Sequence, residues 1–366
     1  MEAIMQRSYF LGGASPTGFS TSFWTEHSGY YGYYLKGGPG TGKSTLMKRI
    51  AADFAGEDIS CWHCASDPHS LDAVVLEERG IFIADATAPH ESGTQLPYVT
   101  GETVDLAEGL SPLTLRENRT EIIRLLQENT AAHCQVRRGL SGILEMESMI
   151  SDAAAPAVQR EKLAGFAARF GRRLLPKASG SQGCIFSRQS MALTPDGIIR
   201  YLPDGFDLML VHDPMRVAGE MFLKQLAESA AEAGTVCEVT RSLTRPEQPP
   251  VMLIFPALRF AAVTVTDAAA PDLPASVSRI RMQRFYDAAV LRKHRSLIRF
   301  SSKTAAQTEQ KVTALLAEAL CIHDQLESYY VRALDTAFLD RKAAGIIADI
   351  RECGRFSVRE QPIYRS

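Results

Sequence analysis

The 366-residue chain contains no apolar run that approaches the length of a membrane span, so membrane-crossing helices are not expected. It also lacks a charge excess. Forty Lys and Arg stand against 42 Asp and Glu, for a net charge of −2. No global field draws it to nucleic acid or anionic lipid, and no strong nucleic-acid signal is present. A disulfide pattern is missing too. The seven cysteines are odd in number and scattered, which fits free thiols in a reducing compartment. The start, MEAIMQRSYFLGG, shows no basic region followed by a long apolar core, so a secretory leader is not expected and a cytoplasmic location is. The one close cysteine pair, CWHC at 61–64, has no second pair to complete four zinc ligands. Its simpler reading is a buried strand. Apolar content of 45% still lets each half of the chain bury a core.

The strongest positive signal is YYLKGGPGTGKSTLMKRIA, residues 33–51. It contains G-x-x-x-x-G-K-S from Gly37 to Ser44, a pattern that chance produces in roughly one chain of this length in a hundred. An aromatic and aliphatic run precedes it, as in a buried strand. Leu46, Ile50 and Phe54 follow at helical spacing. Strand, glycine loop and helix are the setting of a phosphate-binding loop formed by Gly37, Gly38, Pro39, Gly40, Thr41, Gly42, Lys43, Ser44 and Thr45. Glycines admit positive φ and let backbone N–H groups approach a phosphate. Lys43 is placed to reach the β- and γ-phosphates, and the Ser44 hydroxyl to ligate Mg²⁺.

Further on, GIFIADATAP reads as a buried strand with Asp85 at its carboxyl end, where α/β sheets bind ligands. Asp85 is the expected second Mg²⁺ ligand. Between the two motifs, CWHCASDPHSLDAVV suggests a strand over Cys61–Ala65 followed by Asp67. Asp67 either caps a helix that begins at Pro68 or faces the γ-phosphate as a base. Asp72 and His90 are weaker candidates, and a surface loop would account for both.

These segments resemble the P-loop NTPases. GGPGTGKST is similar to the loop of many ATPases and of small-molecule and nucleotide kinases. LGGASPTGF, HCASDPHSLDAVV and IADATAPH extend the likeness to a bacterial family of tandem P-loop proteins described only as ATPases or ATP-binding proteins. The resemblance spans nearly the whole chain and implies nucleotide binding at Gly37–Thr45 and Asp85, with ATP and Mg²⁺ as cofactors. Many such ATPases place a glutamate after the strand-end aspartate, and here that position is Ala86. A base must then come from Asp67, Glu91 or another domain. The guanine-reading N-K-x-D motif is absent, which favours ATP over GTP.

The second half repeats the first in order. SPTGFSTSF at 15–23 matches TPDGIIRYL at 194–202, each with Pro and Gly placed for a turn between short strands. The strand before the glycine loop matches DLMLV at 207–211, and the helix after it matches MFLKQLAESAAEAG at 221–234. Cys61 and Cys237 stand 176 residues apart, as do LRENRTEII and LRKHRSLIR. DATAP at 85–89 matches DAAAP at 267–271, which sets Asp267 where Asp85 stands. The glycine loop itself is replaced by HDPMRVAGE, and no register restores Gly-Lys-Ser. His212, Asp213 and Arg216 are expected to decorate a retained turn. Amphipathic helices are expected over 114–150, 156–175 and 291–351, packed on the sheets or between the halves. The arginine clusters at 137–138 and 172–173 read as solvated faces, with a lid or finger role as the minority reading. Residues 176–183 make a natural linker.

The expected architecture is α/β. It comprises two tandem P-loop NTPase-type domains, 1–178 and 179–366, each a mostly parallel sheet with helices on both faces and added helices, the second degenerate. The expected function is an Mg-dependent ATPase that couples nucleotide state to movement between the halves, with Lys43, Asp67 and Asp85 catalytic. An arginine from the second half, Arg216, Arg241 or Arg259, would assist. A kinase for a small-molecule or nucleotide acceptor, using the 90–113 loop, and an ATP-gated scaffold for a protein partner are the alternatives.

Overall fold

Alternating side chains account for the first sheet. Along Ile81–Asp85, Ile81 and Ile83 point into one core, while Phe82 and Ala84 point into another on the opposite face. The computed structural model describes residues 7–175, 183–245, 247–266, 277–354 and 356. Its first half runs β1 (Arg7–Phe10), β2 (Gly13–Ser15), β3 (Gly18–Ser20), α1 (Phe23–Glu26), β4 (Tyr31–Lys36), α2 (Lys43–Asp53), β5 (Ile59–His63), β6 (Leu71–Leu76), β7 (Ile81–Asp85), β8 (Gly101–Asp105), α3 (Pro112–Glu117), α4 (Arg119–Ala154) and α5 (Arg160–Leu174). The second runs β9 (Ile185–Ser187), β10 (Met191–Thr194), β11 (Gly197–Arg200), β12 (Asp207–His212), α6 (Val217–Glu232), β13 (Cys237–Thr240), β14 (Met252–Phe255), β15 (Phe260–Val265), β16 (Ser278–Arg281), α7 (Ala288–Lys293), α8 (Arg295–Ala333) and α9 (Thr336–Cys353).

The two six-stranded sheets share one topology. The first is ordered β1-β5-β6-β7-β4-β8 and the second β9-β13-β14-β15-β12-β16. In each, five strands run the same way and one, β6 or β14, runs against its neighbours. The paired hairpins β2–β3 and β10–β11 repeat as well, both on the expected Pro/Gly turns. The fold is therefore α/β, with mixed and mostly parallel sheets, built twice. Asp267 and the rest of DAAAP lie outside the described residues, as do 176–182 of the linker segment.

The helices sit differently from the expectation. One face of the first sheet is covered by α2 and α9 and the other by the short α1 and the aromatic side chains of Phe19, Tyr30 and Tyr34, with no long helix there among the described residues. Aromatic bulk fills this face without one; Phe23, Trp62 and Phe82 meet edge to face.

Long helices instead carry the chain from one half to the other. α4 and α8 lie antiparallel: the residues before α3 bridge to the end of α8 through Leu110 and Leu334, and the residues after α4 bridge to those before α7 through Val158 and Tyr286. At 36 and 39 residues they are about 55 Å long. Val136, Leu140 and Ile143 of α4 pack on Val312 and Leu316 of α8. Each then delivers its following helix to the other sheet. Leu163 and Ala167 of α5 enter the core of the second sheet, and Leu339, Ala343, Ile346 and Ile350 of α9 enter the core of the first. The sheets also meet near their β1 and β9 edges, where the Phe10 N–H donates to the Gln189 carbonyl at 2.7 Å and the Tyr9 hydroxyl donates to the Glu238 carboxylate at 3.0 Å.

Candidate functional site

The glycine loop joins β4 to α2 and needs its glycines for two separate reasons. Gly37, Gly40 and Gly42 have φ of 151°, 67° and 82°, where a Cβ is strained. The loop is also walled by the crossing helices. A Cβ at Gly40 would stand 2.7 Å from the Glu327 carbonyl oxygen of α8, and one at Gly38 would stand 2.9 Å from the Tyr330 ring. At Gly42 it would meet Leu339 of α9 at 2.5 Å. Gly42 offers no side chain to cap α2, so the first N–H groups of the helix remain available as donors. Thr41 is buried and donates to the Gly38 carbonyl at 2.8 Å, which braces the turn. Thr45 faces outward and Pro39 is half-buried.

Lys43 opens α2 and folds back over the loop. Its Nζ donates to the carbonyls of Gly37 and Gly38 at 2.9 Å and stands 3.5 Å from Asp85 Oδ2. Asp85 ends β7, which pairs directly with β4 so that Leu35 and Asp85 lie in register. Its Oδ1 accepts from the Thr87 N–H at 2.8 Å and from the Thr87 hydroxyl. Ser44 Oγ accepts from the Leu71 N–H at 3.0 Å. Lys43, Ser44 and Asp85 thus converge on the carboxyl rim of the first sheet. Ala86 is fully buried and gives its N–H to the Leu35 carbonyl at 2.9 Å.

Asp67 lies in the turn after β5, and no helix follows it. Its carboxylate accepts from the His69 N–H at 3.2 Å and from the Ser70 hydroxyl, holding the turn that leads into β6. Glu91 is exposed on the loop after β7.

Asp72 and His90 are not surface-loop residues. Both are 7% exposed, and Asp72 Oδ2 lies 3.5 Å from His90 Nε2. Because β6 runs antiparallel to β7, its first residues reach the rim where β7 ends, and Ala73 pairs with Ala84. Asp72 therefore stands beside the Lys43–Asp85 pair. Burial pushes its carboxyl up to about 6, opposed by His90 and reinforced by the Asp85 charge. The Cys64 thiol hydrogen-bonds to it and is itself pushed well up by burial and by the Asp72 charge. Among the described residues His90 Nδ1 is buried without a hydrogen-bond partner, and its ring meets Phe19 edge to face. Asp72 is the second residue of LDAVVL, at the amino end of its strand, and the antiparallel direction of β6 is what brings it to the rim.

The corresponding loop of the second half is filled by its own side chain. It spans 213–216, two residues shorter than 37–42. Arg216, with φ 65°, takes the left-handed place of Gly42 before the helix, and Val217 takes that of Lys43. Asp213 does more than decorate the turn. It is 1% exposed, and its carboxylate accepts from the Gly219 N–H at 2.7 Å, the Met215 N–H at 3.1 Å and the Tyr286 hydroxyl at 2.9 Å. The Tyr286 hydroxyl in turn accepts from the Ala218 N–H at 2.8 Å. A carboxylate on the helix N-terminus takes the donors that a phosphate would use.

The three candidate arginines are engaged elsewhere. Arg216 pairs with Glu147 of α4 at 2.9 Å, and Arg259 donates to the Gly205 carbonyl at 3.2 Å. Arg241 donates to Ser187 Oγ at 3.4 Å in a polar cavity of about 410 Å³ shared with Ser20, Thr21 and Ser22. His212 ends β12. Among the described residues no cluster of three His, Cys, Asp or Glu is placed to hold a metal. No helix there is long and apolar enough to cross a membrane. Comparison with family models, curated proteins and solved structures finds no match.

Proposed function

We propose that the first half binds ATP with Mg²⁺ in the manner of a P-loop protein and hydrolyses it, and that the second half is a degenerate copy that does not. The observation that carries this reading is the contrast between two equivalent helix starts. α2 is uncapped, bordered by Lys43 and faced by Asp85, whereas α6 is closed by Asp213 and has Val217 in place of the lysine. In this reading the loop N–H groups and Lys43 bind the β- and γ-phosphates. The Ser44 hydroxyl and Asp85 carboxylate are a fitting donor pair for Mg²⁺, which supplies charge neutralisation on the phosphate oxygens. Binding draws the Lys43 amine away from the Gly37 and Gly38 carbonyls.

Asp72 replaces Asp67 as the preferred base. Its carboxyl is close to half ionised near pH 6, it is shielded from bulk water, and His90 orients it. The loop's contacts with Glu327, Tyr330 and Leu339 supply the coupling, because any change of loop shape presses on helices that belong to the second half. A second reading, phosphoryl transfer to a small-molecule acceptor, is favoured by Ala86 at the place of a hydrolytic glutamate and by the exposed Leu96, Tyr98 and Val99 on the 90–113 loop.

Phosphate release with ATP and Mg²⁺ separates the readings. Turnover with ATP alone that is lost in Lys43→Ala supports hydrolysis, turnover that requires an added metabolite supports transfer, and tight binding with neither supports a switch. ATP binding that survives Lys43→Ala refutes the placement of the phosphates on Lys43, and absence of ATP binding by the parent refutes the nucleotide reading itself.

A further inference from the structure

The two copies differ most in charge along one matched stretch. Residues 278–303 hold eight Lys or Arg and a single acid, Asp287, whose carboxylate caps α7. The matching stretch of the first half, 102–127, holds five acids and three arginines. A chain of net charge −2 thus concentrates a strongly positive patch at the junction of α7 and α8. Arg292, Arg295, Arg299 and Lys303 recur at helical spacing and face outward. With Ser296 and Phe300 they form one open face at the α7–α8 junction. Among the described residues no carboxylate pairs with any of these four cations.

The first copy serves as an internal control. There α3 and α4 make the same helix break and the same long crossing, so the fold requires neither the charge nor the aromatic. At the place of Phe300 stands Arg124, bound to Glu121 and Glu128 at i−3 and i+4. In the second copy those acids are absent, and a phenyl ring 59% exposed lies among cations. The opposite face of the same segment is committed: Leu291 and Ile298 pack into the core of the second sheet. No apolar stripe is left to enter a lipid surface, and one aromatic ring flanked by evenly spaced cations is the composition of a single-strand nucleic-acid groove.

We propose that the α7–α8 face of the second half binds single-stranded nucleic acid, with Arg292, Arg295, Arg299 and Lys303 on successive phosphates and Phe300 stacked on a base. The site is independent of the nucleotide reading, since it shares no residue with the glycine loop.

The test is fluorescence anisotropy of a short labelled single-stranded DNA with the full chain, without ATP or divalent metal, over a salt series. Four phosphate contacts predict a slope of log affinity against log salt of about −3. Arg295→Gln with Arg299→Gln removes two contacts and roughly halves the slope. Phe300→Ala weakens binding by about five- to a hundred-fold with the slope unchanged, a separation that a general loss of structure does not produce. Lys43→Ala leaves binding intact. The proposal fails if no salt-dependent binding is seen or if the double Gln variant, verified as folded by its circular dichroism melt, binds like the parent. It also fails if acidic phospholipid vesicles are bound while the oligonucleotide is not. Salt-sensitive self-association lost in the double variant, again without oligonucleotide binding, would assign the patch to a second copy of the chain and overturn it equally.

Discussion

Replacing Asp72 by asparagine is expected to stabilise the nucleotide-free protein above neutral pH. The carboxyl is 7% exposed and its pKa is lifted from the ordinary 3.8 to about 6, chiefly by burial. A carboxyl whose folded pKa is raised favours the fold in its protonated form. The penalty for its charge is complete above about pH 6, shrinks as pH falls toward 3.8 and is gone below that. The interval corresponds to roughly 3 kcal/mol. Asparagine keeps the shape and removes the charge. Asp72→Asn should therefore unfold later in urea than the parent by up to about 3 kcal/mol near pH 8, and the two should converge near pH 4. Chelator is included so that no metal offsets the charge. If Asp72 is also the base, the same variant loses phosphate release by about a hundredfold or more while ATP binding persists. A variant less stable than the parent near pH 8 would show that Lys43 and His90 more than offset the burial, and would refute the assignment of Asp72 as a strained carboxylate. A stability difference independent of pH would refute it as well.

Gly40→Ala should destabilise the protein by about 1–3 kcal/mol, since φ is 67° and the new Cβ meets the Glu327 carbonyl; an unchanged melting temperature would show that the loop does not press on α8. Arg188→Ala should cost about 3–5 kcal/mol in denaturant unfolding, because this second-half guanidinium lies over Trp62 and Tyr9, contacts His27 at 3.0 Å and approaches Glu26 and Glu77 at 3.9 Å, leaving buried charge unpaired when removed. Asp213→Ala should lower stability by about 2–4 kcal/mol, through the lost acceptor for Gly219, Met215 and Tyr286, and should leave nucleotide affinity unaltered by isothermal titration.

Much of the first half was legible because its signals are local. Glycines before Lys43, a hydrophobic strand ending at Asp85 and the Pro/Gly hairpins each fix a short backbone path, and the structure places them where those rules indicate. The repeat was legible for the same reason, as ordered local matches. Three features were not. The antiparallel β6 and β14 are short apolar runs that carry no mark of direction, so Asp72 could not be assigned to the rim. The exchange of α5 and α9 between the sheets leaves no local trace, since an amphipathic stripe states that a face is buried and not against what. The occupation of the second helix start by Asp213 depends on a loop two residues shorter, which only the backbone reveals.

The shared topology of the two halves puts a long crossing helix beside each helix-start loop. Each crossing helix reaches the glycine loop, or its counterpart, in the other half: α8 meets Gly38 and Gly40 through Tyr330 and Glu327, and α4 meets Arg216 through Glu147, which also engages Arg245 at 3.5 Å. In the second half that contact is a fixed ion pair beside a carboxylate-filled turn, and it anchors α4. In the first half α8 meets glycines instead, beside a lysine whose Nζ is held by two carbonyls and Asp85. The two ends of the antiparallel pair therefore differ in kind: at one end α4 is locked by an ion pair to a side chain of the loop, and at the other α8 rests on glycines.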